Sequence, residues 1–132
     1  MIYEDNLNAL KRHHIYLYRF LVNNSYIEKK GAMIEYAKNE DPIIAVERNG
    51  RKQYLNSKYN PEHEAEVFVQ DYLGMPDASI LFMYGFSTGI FAKKYLQKAE
   101  NKVNCIVFEP DIRLFLEVVK NIDITEVLKD ER

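Results

Sequence analysis

The chain has one cysteine, Cys105, so no disulfide can form within it and the fold must rest on packing. It has no tryptophan, only five glycines and four prolines, and no segment biased enough in composition to suggest disorder. Neither sign of charge dominates. With 18 basic and 20 acidic residues the formal net charge is −2, without the basic stripe that phosphate binding needs, and nucleic acid is excluded as a partner. No apolar run reaches membrane-spanning length, and Glu4, Asp5 and Asn6 stand where a signal peptide has its apolar core. The chain therefore reads as cytoplasmic, with no membrane partner. The adjacent His13 and His14 diverge on a helix and His63 lies far along the chain, so no metal site is expected. Cys105 precedes the apolar run Ile106-Val107-Phe108 and reads as a buried strand thiol rather than a nucleophile. No pair of carboxylates, Ser-His or Cys-His arrangement forms a catalytic set, and no catalytic residue is assigned.

What is present is an ordinary globular composition, 47% apolar and 29% charged, over 132 residues. That length suits one domain burying about two thirds of its unfolded surface. From Asp5 to Val22, Leu7, Leu10, His14, Leu17 and Leu21 recur at helical spacing, with Tyr16, Tyr18 and Phe20 adding aromatic surface for packing. After Asn23-Asn24-Ser25 the pattern turns to short strands. Met33 to Ala37, Ile43 to Glu47 and Lys52 to Leu55 are separated by Asn39-Glu40-Asp41-Pro42 and by Asn49-Gly50. Asn-Gly favours a type I′ hairpin, which predicts a small antiparallel meander.

Asn60 and Pro61 then read as the cap and first residue of a helix, with Glu62 and Glu64 at its positive end. Its apolar face is Ala65, Phe68, Val69, Tyr72 and Leu73, and Gly74 with Pro76 ends it. Next come a strand, Ile80 to Tyr84, the loop Gly85-Phe86-Ser87-Thr88-Gly89, a helix to Ala99 and a strand, Asn104 to Phe108. A last helix, Asp111 to Ile122, carries Ile112, Phe115, Leu116, Val119 and Ile122 on one face. This alternation implies parallel strands joined by a right-handed crossover, in a sheet covered on both faces. The fold class is thus α/β: an N-terminal helix, a small antiparallel β-meander, then a truncated Rossmann-like parallel β-Gly-loop-α-β-α unit. Residues 1–132 form one module, with subregions 1–60 and 61–132. The third strand is missing where it should begin, after Ile124-Thr125-Glu126-Val127-Leu128. The protein is accordingly expected to continue past Arg132, and the module to self-associate through an unprotected sheet edge, Ile80 to Tyr84 or Asn104 to Phe108, beside apolar helix surface.

The Gly85 to Gly89 loop is where such a fold would hold a nucleotide or nucleoside, the helix N–H groups taking an anion and Glu109 the ribose diol. Gly85, Ser87, Thr88, Gly89 and Glu109 are the candidate binding residues, with the cofactor itself unassigned. The loop lacks the third glycine of the dinucleotide pattern. It is similar to the first motif of S-adenosylmethionine methyltransferases, except that Met83 replaces the acidic residue and Ser87 the middle glycine. The other reading is that the glycines only allow strand and helix to pack, with Glu109 a solvated strand-end carboxylate. Ser57, Lys58 and Tyr59 read either as a phosphate contact or as a helix-entry turn.

Several strings, in order, resemble the N-terminal domain of the motility-associated factor glycosyltransferases, a bacterial family linked to flagellin glycosylation. They are Asn6-Leu7-x-Ala9-Leu10, Asn49-Gly50, Leu55-Asn56-Ser57-Lys58-Tyr59-Asn60-Pro61 with Glu64-Ala65, Leu81-Phe82-x-Tyr84-Gly85-Phe86-Ser87-Thr88-Gly89, and Val107-Phe108-Glu109-Pro110-Asp111. The resemblance implies transfer of a CMP-activated nonulosonic, sialic-acid-like sugar to Ser or Thr of flagellin. It places the transferase chemistry in the domain that follows, leaving this chain as a non-catalytic N-terminal module partnered by the rest of its own polypeptide. The alternative is a nucleoside- or S-adenosylmethionine-binding, methyltransferase-like enzyme fragment.

Overall fold

The computed structural model describes residues 1–24 and 32–132, and shows a mixed α/β fold. The expected first helix is two: α1 (Ile2–His13) and α2 (Ile15–Asn23), broken at His14 with φ −142° and ψ 62°. The break is held from far away, since the His14 ring Nε2 lies 3.0 Å from the Leu128 carbonyl oxygen. Leu10 of α1 and Leu21 of α2 are both buried, while Leu17 of α2 stays partly exposed. Helix α2 ends at Asn23, and the Nδ2 of Asn24 donates to Phe20 O at 2.7 Å, while Ser25 lies outside the described residues.

The meander forms as β1 (Met33–Tyr36), β2 (Pro42–Arg48) and β3 (Arg51–Tyr54), antiparallel and in that spatial order. Asn49 and Gly50 both take positive φ, 53° and 73°, as a type I′ turn requires, and set Arg48 opposite Arg51. Ile43, Ile44, Ala45 and Val46 are buried in succession, so the middle strand is covered on both faces.

Helix α3 (Pro61–Val69) is capped by Asn60 Oδ1, which accepts from His63 N at 3.0 Å, and tightens into a 3-10 turn at Gln70–Tyr72 before Gly74. Of its predicted apolar face only Ala65 and Val69 are fully buried. Phe68 packs edge-on against Phe91, with ring centroids 5.0 Å apart, but remains half exposed.

Strands β4 (Ile80–Tyr84) and β5 (Asn104–Phe108) pair in parallel, Ile80 with Asn104 through Tyr84 with Phe108, around the crossover helix α4 (Ile90–Lys98). Leu81 and Met83 turn inward onto Val69, Ala92, Tyr95 and Val103. The opposite face is bare, which corrects the expectation of a sheet covered on both sides. Ile80, Phe82, Tyr84, Ile106 and Phe108 are each 49–73% exposed there. A strand apolar at every position is ready to be covered twice, but the described residues supply helices to one side only.

Helix α5 (Ile112–Asn121) starts at Asp111, whose Oδ1 accepts from Arg113 N at 3.0 Å. The segment after it, where a third strand would begin, forms the short helix α6 (Thr125–Lys129). The Arg132 guanidinium donates to Leu96 O and Ala99 O at 2.8 and 3.1 Å, satisfying carbonyls at the end of α4. Buried residues of α1, α2, β2, α5 and α6 gather with Phe86 into one core, beside the smaller one between the parallel strands, α4 and Val69. Among the described residues no helix is long and apolar enough to cross a membrane.

Candidate functional site

The loop after β4 reverses the chain through three residues of positive φ: Gly85 at 93°, Ser87 at 55° and Gly89 at 84°. Gly85 N continues the sheet by donating to Phe108 O at 2.6 Å. Gly89 is the N-cap of α4 and has no space for a side chain, because an added Cβ would lie 2.8 Å from Phe86 Cζ. Phe86 itself is buried edge-on against Phe115 of α5. Ser87 replaces a glycine in the motif it resembles, and its left-handed backbone is held by its side chain. Ser87 Oγ and the buried Asn56 amide exchange hydrogen bonds of 2.9 and 3.1 Å, while Asn56 Oδ1 also accepts from Ile44 N at 3.1 Å. The loop is thereby fastened to the middle strand of the meander.

Glu109 follows β5 and is turned onto the loop. Its Oε1 accepts from Phe86 N at 3.0 Å and its Oε2 from Asp111 N at 2.9 Å. The N–H groups of Gly85, Phe86 and Gly89 are all taken within the chain, the last by Phe86 O at 2.9 Å. Each Glu109 carboxylate oxygen thus holds one backbone N–H, and the side chain is partly buried.

The five candidate residues do not converge on one cavity. Gly85, Ser87 and Glu109 line a cavity of about 480 Å³ walled by Phe68, Tyr72, Phe82, Tyr84 and Phe91. Thr88 and Gly89 face a separate cleft of about 260 Å³, where Lys93 and Lys94 meet Asp41, Glu62, Asp123 and Glu126. Lys94 is neutralised there by Glu62 and Glu66 at 3.3 and 3.7 Å. A third cavity, about 690 Å³ and unforeseen in the sequence, runs along β5 against Leu17 and Phe20 of α2. Cys105 forms part of its wall, and burial pushes the thiol pKa up, with Arg132 opposing, so the group is a poor nucleophile.

Ser57 to Tyr59 form the helix-entry turn. Ser57 Oγ accepts from Tyr59 N and Asn60 N at 3.2 Å, Ser57 N donates to Glu64 Oε1 at 2.8 Å, and Lys58 Nζ lies 4.9 Å from the Tyr54 ring centroid. Among the described residues no group of three or more His, Cys, Asp or Glu side chains is placed to hold a metal ion.

Sequence reasoning assigned no role to the residue most deeply engaged in polar contacts. Asn6 is fully buried on α1, donates from Nδ2 to Val119 O and Ile122 O at 2.8 and 2.6 Å, and accepts from Ile124 N at 3.0 Å. A lone Asn beside Leu7, Ala9 and Leu10 was its only signal. No protein-family model, curated protein or solved structure matches the chain.

Proposed function

We propose that this chain is the non-catalytic N-terminal module of a bacterial motility-associated glycosyltransferase, which transfers a CMP-activated nonulosonic sugar to Ser or Thr of flagellin. What carries the reading is that the strings resembling that family are bonded to one another. Asn56 of the second long string holds Ser87 of the Gly loop, and Glu109 of the last string holds Phe86 of that same loop. Ser57 N meets Glu64, and Asn6 of the opening string closes the end of α5. The strings thus carry a structural lock, and a lock is what a positioning module needs. The N–H groups of Gly85, Phe86 and Gly89 are already bonded within the chain, which also suits a module whose chemistry resides in another domain.

Deleting the coding sequence and weighing intact flagellin tests the assignment. Flagellin should lose the mass of its nonulosonic residues, and an unchanged mass overturns the reading. The purified chain should neither hydrolyse the CMP-sugar nor transfer it to flagellin above a buffer control.

The alternative, a nucleoside- or S-adenosylmethionine-binding enzyme fragment, has one observation in its favour: the aromatic cavity beside Gly85, Ser87 and Glu109. Calorimetric titration with S-adenosylmethionine and with CMP separates the two. The module should give no saturable heat, whereas micromolar binding abolished by Glu109→Gln would favour the alternative.

A further inference from the structure

The outward face of the parallel pair is continuous and uncharged. Across the strands it reads Ile80 beside Asn104, Phe82 beside Ile106 and Tyr84 beside Phe108, and none of the six is Asp, Glu, Lys, Arg or His. The Tyr84 and Phe108 rings lie 5.6 Å apart and cap one end.

Ile80, Phe82 and Tyr84 are 61%, 61% and 73% exposed, and Ile106 and Phe108 49% each. With about 150–250 Å² to each aromatic side chain, the five apolar residues leave on the order of 600 Å² open. That is at the upper limit for the largest patch of an ordinary monomer. The patch continues on both sides. Phe68 and Tyr72 share a cavity with Phe82 and Tyr84, and Leu17 and Phe20 share one with Ile106 and Phe108. With these flanks it reaches the roughly 800 Å² per partner of a standard stable interface.

We propose that this face packs against the same face of a second copy of the chain, forming a two-fold dimer in which the two β4–β5 sheets stack face to face. Three features select a second copy. The area matches what a stable dimer needs. A two-fold contact sets each residue against its own surroundings, and here that brings no like charges together. The net charge of −2 adds little long-range repulsion. Apolar sheet faces stack about 10 Å apart with interdigitated side chains, and the alternating outward residues of β4 and β5 present such a surface. This inference stands on the sheet alone and is independent of any sugar chemistry.

The test is sedimentation equilibrium of the 132-residue chain from about 1 to 200 µM, which covers the weak end of interfaces of this size. The parent should pass from monomer to dimer across that range. Phe82→Lys and, separately, Ile106→Lys should each raise the dimer Kd at least tenfold. Both positions are already exposed, so far-UV circular dichroism and Tm should stay at the parent values. If one variant loses its fold, the other carries the test. A chain monomeric at every concentration overturns the proposal. A dimer whose Kd neither folded variant changes also overturns it, and places the contact elsewhere, such as the free edge of β5.

Discussion

At the scale of single residues, Gly85 and Gly89 both hold left-handed backbone, but only one is also pressed by its surroundings. A side chain at Gly85 would enter open space, so Gly85→Ala meets only the backbone penalty, about 1 kcal/mol. At Gly89 the new Cβ also meets the Phe86 ring at 2.8 Å, and Phe86 cannot swing away because it is packed on Phe115. Overpacking adds about 1–3 kcal/mol, so Gly89→Ala should lose roughly 2–4 kcal/mol in urea unfolding, clearly more than Gly85→Ala. Equal losses would mean that the Phe86 ring yields freely and that Gly89 is kept for its φ alone. Ser87 shows why a middle glycine is dispensable: its positive φ is held by bonds to Asn56, which also places the loop.

Between elements, the tie that matters most is Asn6, which joins α1 to the end of α5 and the start of α6 over more than 110 residues of sequence. Asn6→Ala leaves two carbonyls and one N–H buried without partners, at about 1–3 kcal/mol for each group left unsatisfied. The variant should unfold with a loss of at least about 2 kcal/mol, and Asn6→Asp, which keeps the acceptor but not the donors, should do no better. A loss below about 0.5 kcal/mol in Asn6→Ala would show that water replaces the amide. The same separation explains which elements and contacts were legible. The Asn49-Gly50 hairpin, the Asn60-Pro61 helix start and both parallel strands follow from signals within a few residues, and they form where the sequence predicts. The break at His14 is tied to a carbonyl 114 residues away, and Arg132, expected only as part of a charged end, closes α4 from 36 residues beyond it. Glu109 was legible as a residue of the loop site, and its bond to Asp111 N is local, but its bond to Phe86 N is fixed by the approach of two strand ends. A β-strand pattern reports that a face is apolar. It does not report whether a helix arrives to cover it.

For the whole molecule, the larger core depends on helices whose first turns are held by carboxylates, and this makes its stability pH-dependent in a definite direction. The Asp123 pKa is lowered chiefly by the hydrogen bond from the Thr125 hydroxyl, at 2.7 Å, and then by Thr125 N–H. At Asp111 burial is the largest influence and favours the neutral acid, but hydrogen bonds from the Arg113 side chain and N–H, with its charge, together prevail and the pKa is again lowered. Each group is therefore more acidic folded than unfolded, so the unfolded chain takes up protons first as pH falls. Their contribution is fully present above the ordinary aspartate value of about 4 and is lost as pH drops through the lower folded values. Because Leu114, Phe115, Val118, Val119 and Leu128 of α5 and α6 lie in one buried cluster with α1 and β2, weakening these contacts should move the global transition and not merely fray two ends. The urea midpoint should stay nearly level from pH 8 to 5 and fall below about pH 4, and the double substitution Asp111→Asn with Asp123→Asn should flatten that fall. Both side chains are partly solvated, so the flattening should be modest and weaker still in high salt. A parent midpoint unchanged down to pH 2.5, or a double variant as acid-sensitive as the parent, would remove these two carboxylates as the source of acid lability.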